Sequence, residues 1–141
     1  MNASAEPLEE TLRRRVAAVI PCYNAGGRLF PVVQNTLALI DRVIVVDDGS
    51  TDGSMAGIQD LPVERVTFSR NRGKGHALIA GMRAALGHRE IEALCTLDAD
   101  GQHDPGELPG LYAAFLRDEA DLLIGARVFD AEKVPWPSRL G

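Results

Sequence analysis

Apolar residues recur along this chain with two alternating spacings. Short β-branched runs at residues 16–21, 43–47, 63–68, 93–97 and 121–126 predict five strands. Between them, three sets each fall on one face of a 3.6-residue helix: Leu29, Val33, Leu37 and Ile40; Leu78, Met82 and Ala85; and Leu108, Leu111 or Tyr112, and Phe115. Strands interleaved with helices predict an α/β fold whose mostly parallel sheet carries helices on both faces. Asp104 is placed as an N-cap, with Pro105 at the first helical position and Glu107 three residues after the cap, which bounds a loop at 98–104. Residues 1–14 carry no apolar period and read as a polar tail or short lead-in helix, so the domain is placed at 15–141. The stretch 128–141, with Pro135-Trp136-Pro137, shows no clear element and reads as a chain cut inside a larger protein.

Charge and composition narrow the function classes. There are 20 acidic against 15 basic residues, a net charge of −5, and no basic run longer than Arg13-Arg14-Arg15, so a nucleic-acid partner is not expected. The longest apolar run, from Val16 to Ile20, falls far short of the roughly 20 residues of a membrane helix. The acidic start at Glu6, Glu9 and Glu10 does not fit a signal peptide, and a cytoplasmic location with no transmembrane segment in this chain is expected. Cys22 and Cys95 lack metal-ligand spacing, which leaves structural zinc and disulfide scaffolding unsupported.

In an alternating α/β sheet, ligands bind beyond the carboxyl ends of the strands, and four polar or Gly-rich loops are predicted there. Asp98 and Asp100 are residues i and i+2 at the end of an apolar strand, so both point the same way and suit a hard divalent cation, with the Gln102 amide oxygen as a third ligand. Chance alone yields about one Asp-x-Asp match in a chain with 11 Asp, so the location rather than the pattern carries this reading. A solvated surface turn is its bland alternative. Asp47-Asp48-Gly49-Ser50-Thr51-Asp52-Gly53 offers acids that accept hydrogen bonds from a base or ribose; the alternative is an Asx-turn with Thr51 capping the next helix. Asn71-Arg72-Gly73-Lys74-Gly75 precedes a helix, where backbone N–H groups and Lys74 suit phosphate oxygens.

That loop is neither a Walker motif, since Gly75 stands where Ser or Thr is needed, nor a dinucleotide fingerprint, since Leu78 replaces the third glycine. His76 and His103 read as structural or solvent-facing, and no Ser/His/Asp set or GxSxG indicates nucleophilic hydrolysis.

Taken in order, Val19-Ile20-Pro21-Cys22-Tyr23-Asn24, Val45-Val46-Asp47-Asp48-Gly49-Ser50-Thr51-Asp52-Gly53, Asn71-Arg72-Gly73-Lys74-Gly75-His76-Ala77, residues 97–105 and Gly125-Ala126-Arg127 resemble the family-2 glycosyltransferases of the GT-A fold, over residues 15–139. They resemble especially the dolichol- and polyprenyl-phosphate mannosyl- or glucosyltransferase branch, although Ala25 stands where that branch often has Glu. The resemblance implies sugar transfer from a GDP- or UDP-sugar, with Pro21, Tyr23 and Asp48 around the base and ribose and Lys74 near the donor. Asp98, Ala99, Asp100 and Gln102 would surround a Mg2+ or Mn2+ ion and the diphosphate. Arg127 and Arg139 would hold an acceptor phosphate.

The chemistry fits without the resemblance. A departing nucleoside diphosphate develops negative charge, which a metal on Asp98 and Asp100 would stabilise. A sugar hydroxyl needs a general base, whereas an already anionic lipid phosphate needs positioning. No base is evident between Asp104 and Gly141, which favours a phosphate acceptor or a base beyond this chain. In the first case the missing C-terminal part would bring the protein to the cytoplasmic membrane face. Two alternatives stay open: a sugar-nucleotide-binding fragment without turnover, and a glycosyltransferase acting on a hydroxyl. A sugar nucleotidyltransferase would need a Gly-rich, basic opening that residues 21–28 lack.

Overall fold

The computed structural model describes residues 6–125. A helix α1 (Leu8–Arg15) leads into strand β1 (Val16–Cys22), followed by α2 (Leu29–Leu37), β2 (Arg42–Asp47), β3 (Glu64–Thr67), α3 (Lys74–Leu86), β4 (Ala93–Thr96) and α4 (Leu108–Arg117). The strands form one parallel sheet in the order β3-β2-β1-β4, with Ala18 opposite both Val43 and Cys95. The chain thus winds outward from β1 in one direction and then jumps back to its other side, which opens a crevice between the carboxyl ends of β1 and β4.

Strand β1 is apolar throughout because it is covered on both faces. Ala18, Ile20 and Cys22 join Val43 and Val45 under α2, where Leu29, Val32 and Val33 are buried, and Leu12, Leu108 and Tyr112 extend this layer through α1 and α4. The lead-in helix is therefore the form the first residues take over Leu8–Arg15, anchored by Leu12. Its first-turn Glu9 and Glu10 and last-turn Arg13, Arg14 and Arg15 complement the helix dipole.

On the opposite face, Ala17, Val19, Ile44 and Val46 meet α3 through Ala77, Gly81 and Ala85, whereas Leu78 and Met82 flank the contact half-buried. The spacing of large residues had pointed to Leu78, Met82 and Ala85 as the buried face. The helix is turned because it lies too close to the sheet for larger side chains: a Cβ on Gly81 would collide with Val19 Cγ1 and lie 2.9 Å from Val46 Cγ2.

The other predicted elements hold with shifted ends. Ile40 lies past the end of α2 but is fully buried. Asp104 accepts the Gly106 N–H at 2.8 Å and caps a short 3-10 turn, Pro105–Glu107, that runs into α4. The fifth strand is a correction for residues 121–125, which lie in no strand, with Leu122 and Ile124 each 76% exposed. Alternation of apolar residues records a propensity, and a strand also requires a hydrogen-bonded neighbour. Ala126 lies outside the described residues.

Candidate functional site

The four loops converge on the crevice as a cleft of about 340 Å³. Of the residues singled out in the sequence, Pro21, Tyr23, Asp48, Lys74, Asp98, Ala99 and Asp100 line it. Gln102 sits on the same loop as the two acids but outside the cleft lining, and its N–H donates to Asp100 Oδ1 at 2.9 Å. Arg127 and Arg139 lie outside the described residues. Asn71, the first residue of the predicted Gly-rich loop, also lines the cleft, as does Arg28, which was not foreseen because it belongs to no strand-end cluster of acids or glycines. Arg28 is a cation in the cleft wall whose Nε donates to the Ala25 carbonyl at 3.1 Å.

The loops after β1 and β2 are laced together. Asn24, in the left-handed region at φ 50°, donates its N–H to Ser50 Oγ at 3.1 Å and accepts the Thr51 N–H on its side-chain oxygen at 2.8 Å. Gly26 N–H reaches Asp52 Oδ2 at 2.8 Å and Ser54 Oγ at 2.9 Å. Thr51 does not cap the following 3-10 turn, Ser54–Ile58, whose N-cap position is Gly53; the Ser54 N–H is accepted by the Asp52 side chain at 3.0 Å. Hydrogen bonds from the Ser54 hydroxyl and N–H hold the Asp52 carboxyl below its ordinary range. Asp47 accepts the Ser50 N–H at 2.8 Å, three residues on, where the expected Asx-turn would close two residues on. In the β1 end itself, burial pushes the Cys22 thiol up, which keeps it an inert part of the wall.

Asp48 shows what the glycine-rich loop is for. It is 3% exposed, its Oδ1 accepts the Arg72 N–H at 2.7 Å and its Oδ2 accepts the Gly73 N–H at 2.9 Å. The sequence suggested that these backbone donors meet phosphate oxygens; two of them instead hold an internal carboxylate, because a turn that presents successive N–H groups binds whichever anion is nearest. Gly49 permits this approach. It has φ 75°, and a Cβ there would lie 2.5 Å from the Arg70 carbonyl carbon and 2.6 Å from the Asn71 nitrogen.

Across the cleft, the loop after β4 brings both acids to the lining, with Asp100 in a turn and not in extended chain. Lys74, at the start of α3, reaches over with Nζ 2.5 Å from Asp98 Oδ1. The Asp98 N–H donates to His103 Nδ1 at 3.2 Å, so this histidine braces the turn, with Nε2 4.0 Å from Asp98 Oδ2. Among the described residues, no group of three or more His, Cys, Asp or Glu side chains gathers as a metal cage. The donor set that is present, two carboxylates on one cleft wall, fits Mg2+ or Mn2+ of the kind that takes one or two protein ligands and completes its shell with substrate phosphates and water.

Comparison with known proteins agrees with this geometry. Residues 17–139 match the family described as glycosyl transferase family 2. A dodecaprenyl-phosphate galacturonate synthase from Rhizobium johnstonii is 30% identical, over 90% of this chain and 41% of its own length. An undecaprenyl-phosphate mannosyltransferase from Micrococcus luteus is 36% identical, over 88% of this chain and 53% of its own length. The chain therefore spans about half the length of these relatives. A glucosyl-3-phosphoglycerate synthase from Mycobacterium tuberculosis, solved with Mn2+, UDP and glucosyl-3-phosphoglycerate, shares the fold with a TM-score of 0.60 at 22% identity, over 82% of this chain and 46% of that one. With the strand order, the clustered loops and the family match in agreement, the chain belongs to glycosyltransferase family 2 and adopts the GT-A α/β fold.

Proposed function

We propose that residues 15–141 are the nucleotide-sugar-binding part of an enzyme that transfers a sugar from a UDP- or GDP-sugar to a polyprenyl phosphate. The observation that carries this reading is the convergence of the four loops on one cleft, with Asp48 on one wall and Asp98 and Asp100 on the other. Pro21 and Tyr23 provide an apolar and aromatic surface for the base, and Tyr23 is 53% exposed and accessible for stacking. Asp48 retains lone pairs beyond its two backbone bonds and faces the base or ribose.

Asp98 and Asp100, with Gln102 beside them, would hold Mg2+ or Mn2+ in the cleft. When bound, that ion supplies Lewis-acid stabilisation of the leaving diphosphate. Lys74 and the N-terminus of α3 add positive potential at the same place. The acceptor assignment is supported by the two relatives whose names carry polyprenyl phosphates, and by chemistry: a phosphate oxygen is already anionic, so its attack needs orientation more than proton removal. Arg127 and Arg139 hold that phosphate, and the lipid brings the enzyme to the cytoplasmic membrane face. Among the described residues no helix is long and apolar enough to cross a membrane.

Labelled UDP- and GDP-sugars incubated with the protein, Mn2+ and polyprenyl phosphate test the reading. Transfer of label to the lipid is expected, and donor binding without transfer would leave a sugar-nucleotide-binding module. In a chain that transfers sugar, Arg127→Lys is expected to lose acceptor-dependent turnover while keeping donor affinity, since an ammonium cannot reproduce the bidentate guanidinium–phosphate contact. Equal turnover of both would remove Arg127 from the acceptor site.

A further inference from the structure

We propose that Lys74 couples metal binding to diphosphate binding: it holds Asp98 in an ion pair that a bare cation must displace and that an incoming diphosphate releases. The inference rests on the donor-binding function proposed above.

Its basis is the unequal exposure and tethering of the two partners. The Lys74 side chain is 61% exposed and sits on the first residue of α3, so its ammonium can swing within the cleft. Asp98 is 33% exposed and its backbone is tied to His103, so its carboxylate stays where the loop puts it. Asp98 Oδ1 faces the ammonium at 2.5 Å, while the His103 ring stands 4.0 Å from Oδ2. A divalent ion arriving alone at this acid meets a positive charge already in place and must break the pair without giving Lys74 a new partner. A nucleoside diphosphate provides that partner, because its oxygens accept from the ammonium and ligate the metal together.

Asp48 cannot take over the lysine's role as counter-charge to Asp98, being itself an anion held by the Arg72 and Gly73 N–H groups. Arg28, the other cation lining the cleft, is turned to the Ala25 carbonyl, to which its Nε donates. Metal and diphosphate therefore strengthen each other's binding, and by linkage the effect is reciprocal.

The test titrates Mn2+ into the chain by calorimetry or by the spin-resonance signal of the free ion, first alone and then with UDP or GDP present. Lys74→Met is expected to bind Mn2+ alone roughly two- to fivefold more tightly than the wild type, the range an exposed ion pair can oppose. The nucleotide is expected to enhance Mn2+ affinity less in Lys74→Met than in the wild type. Lys74→Arg, which keeps a cation against Asp98, is expected to follow the wild type. Unchanged or undetectable Mn2+ binding to Lys74→Met, or equal enhancement by nucleotide in both proteins, overturns the coupling. Asp100→Asn separates the two levels of the argument: if it binds Mn2+ and nucleotide as the wild type does, the metal site itself fails, whereas loss there with no Lys74→Met effect removes the coupling alone.

Discussion

The two walls of the cleft are built differently. On the β1/β2 side, Asn24, Gly26, Ser50, Thr51, Asp52 and Ser54 are joined by hydrogen bonds between two loops, and Asp48 stitches a third loop to them. On the β4 side, Asp98 and Asp100 stand on a turn with hydrogen bonds inside residues 98–103 and Ala99 buried in the core, and the exposed Lys74 side chain reaches it from α3. The difference matches the proposed task of each wall. A base and ribose are recognised by shape and need a surface formed in advance. A metal and diphosphate are recognised by charge, and their site can be completed by the ligand itself.

The largest expected effect comes from the β4 wall. Asp100→Asn keeps an oxygen for the Gln102 N–H, so the turn survives, but removes the negative charge that would hold a cation between the carboxylates and the diphosphate. Mn2+-dependent nucleotide binding is expected to disappear in calorimetry, and nucleotide affinity that is the same with and without chelator would show that no metal bridges the two.

Gly49→Ala probes the stitched wall, because its methyl group would drive into the Arg70 and Asn71 backbone at a positive φ. Destabilisation of about 3 kcal/mol is expected in urea unfolding. A loss under about 1 kcal/mol would mean that the 70–73 loop yields easily and that this wall is no more rigid than the other.

Asp48→Ala strands two backbone donors, and about 2 kcal/mol of stability is expected to go with them. Affinity for a nucleoside monophosphate and a diphosphate is expected to fall by the same factor, since the change lies on the base and ribose side. Unaltered monophosphate affinity would leave Asp48 as a loop clamp without a ligand role.

The location of the site was legible in the sequence because strand-end chemistry is local: Asp98 and Asp100 declare themselves by following an apolar strand, and Asp104 by preceding Pro105. What was not legible depends on contacts between distant segments. Nothing near Asp48 reveals that its oxygens meet Arg72 and Gly73, 24 and 25 residues on. Nor does periodicity reveal that α3 would turn its smallest residues to the sheet, since the distance between helix and sheet is a property of both surfaces. The run at 121–125 had strand spacing but no hydrogen-bonded neighbour.

The smallest effect is expected at Asp52. Its carboxyl lies below the ordinary value of 3.8, so the folded state binds a proton less readily than the unfolded chain. Its contribution is therefore fully present above the unfolded pKa and fades as pH falls through the lower folded one. Asp52→Asn is expected to alter unfolding little near neutrality and to flatten the acid limb slightly below about pH 4. An acid limb identical to the wild type's would show that the Gly26 and Ser54 bonds are indifferent to charge.

The close seat of α3 at Gly81 has a geometric consequence for the cleft. Lys74 lies seven residues earlier on the same helix, about 10 Å along its axis. The helix acts as a rigid lever whose fulcrum is the missing side chain at Gly81. A methyl wedge inserted there, far from any ligand, would tilt the rod and displace the ammonium from the aspartate it faces.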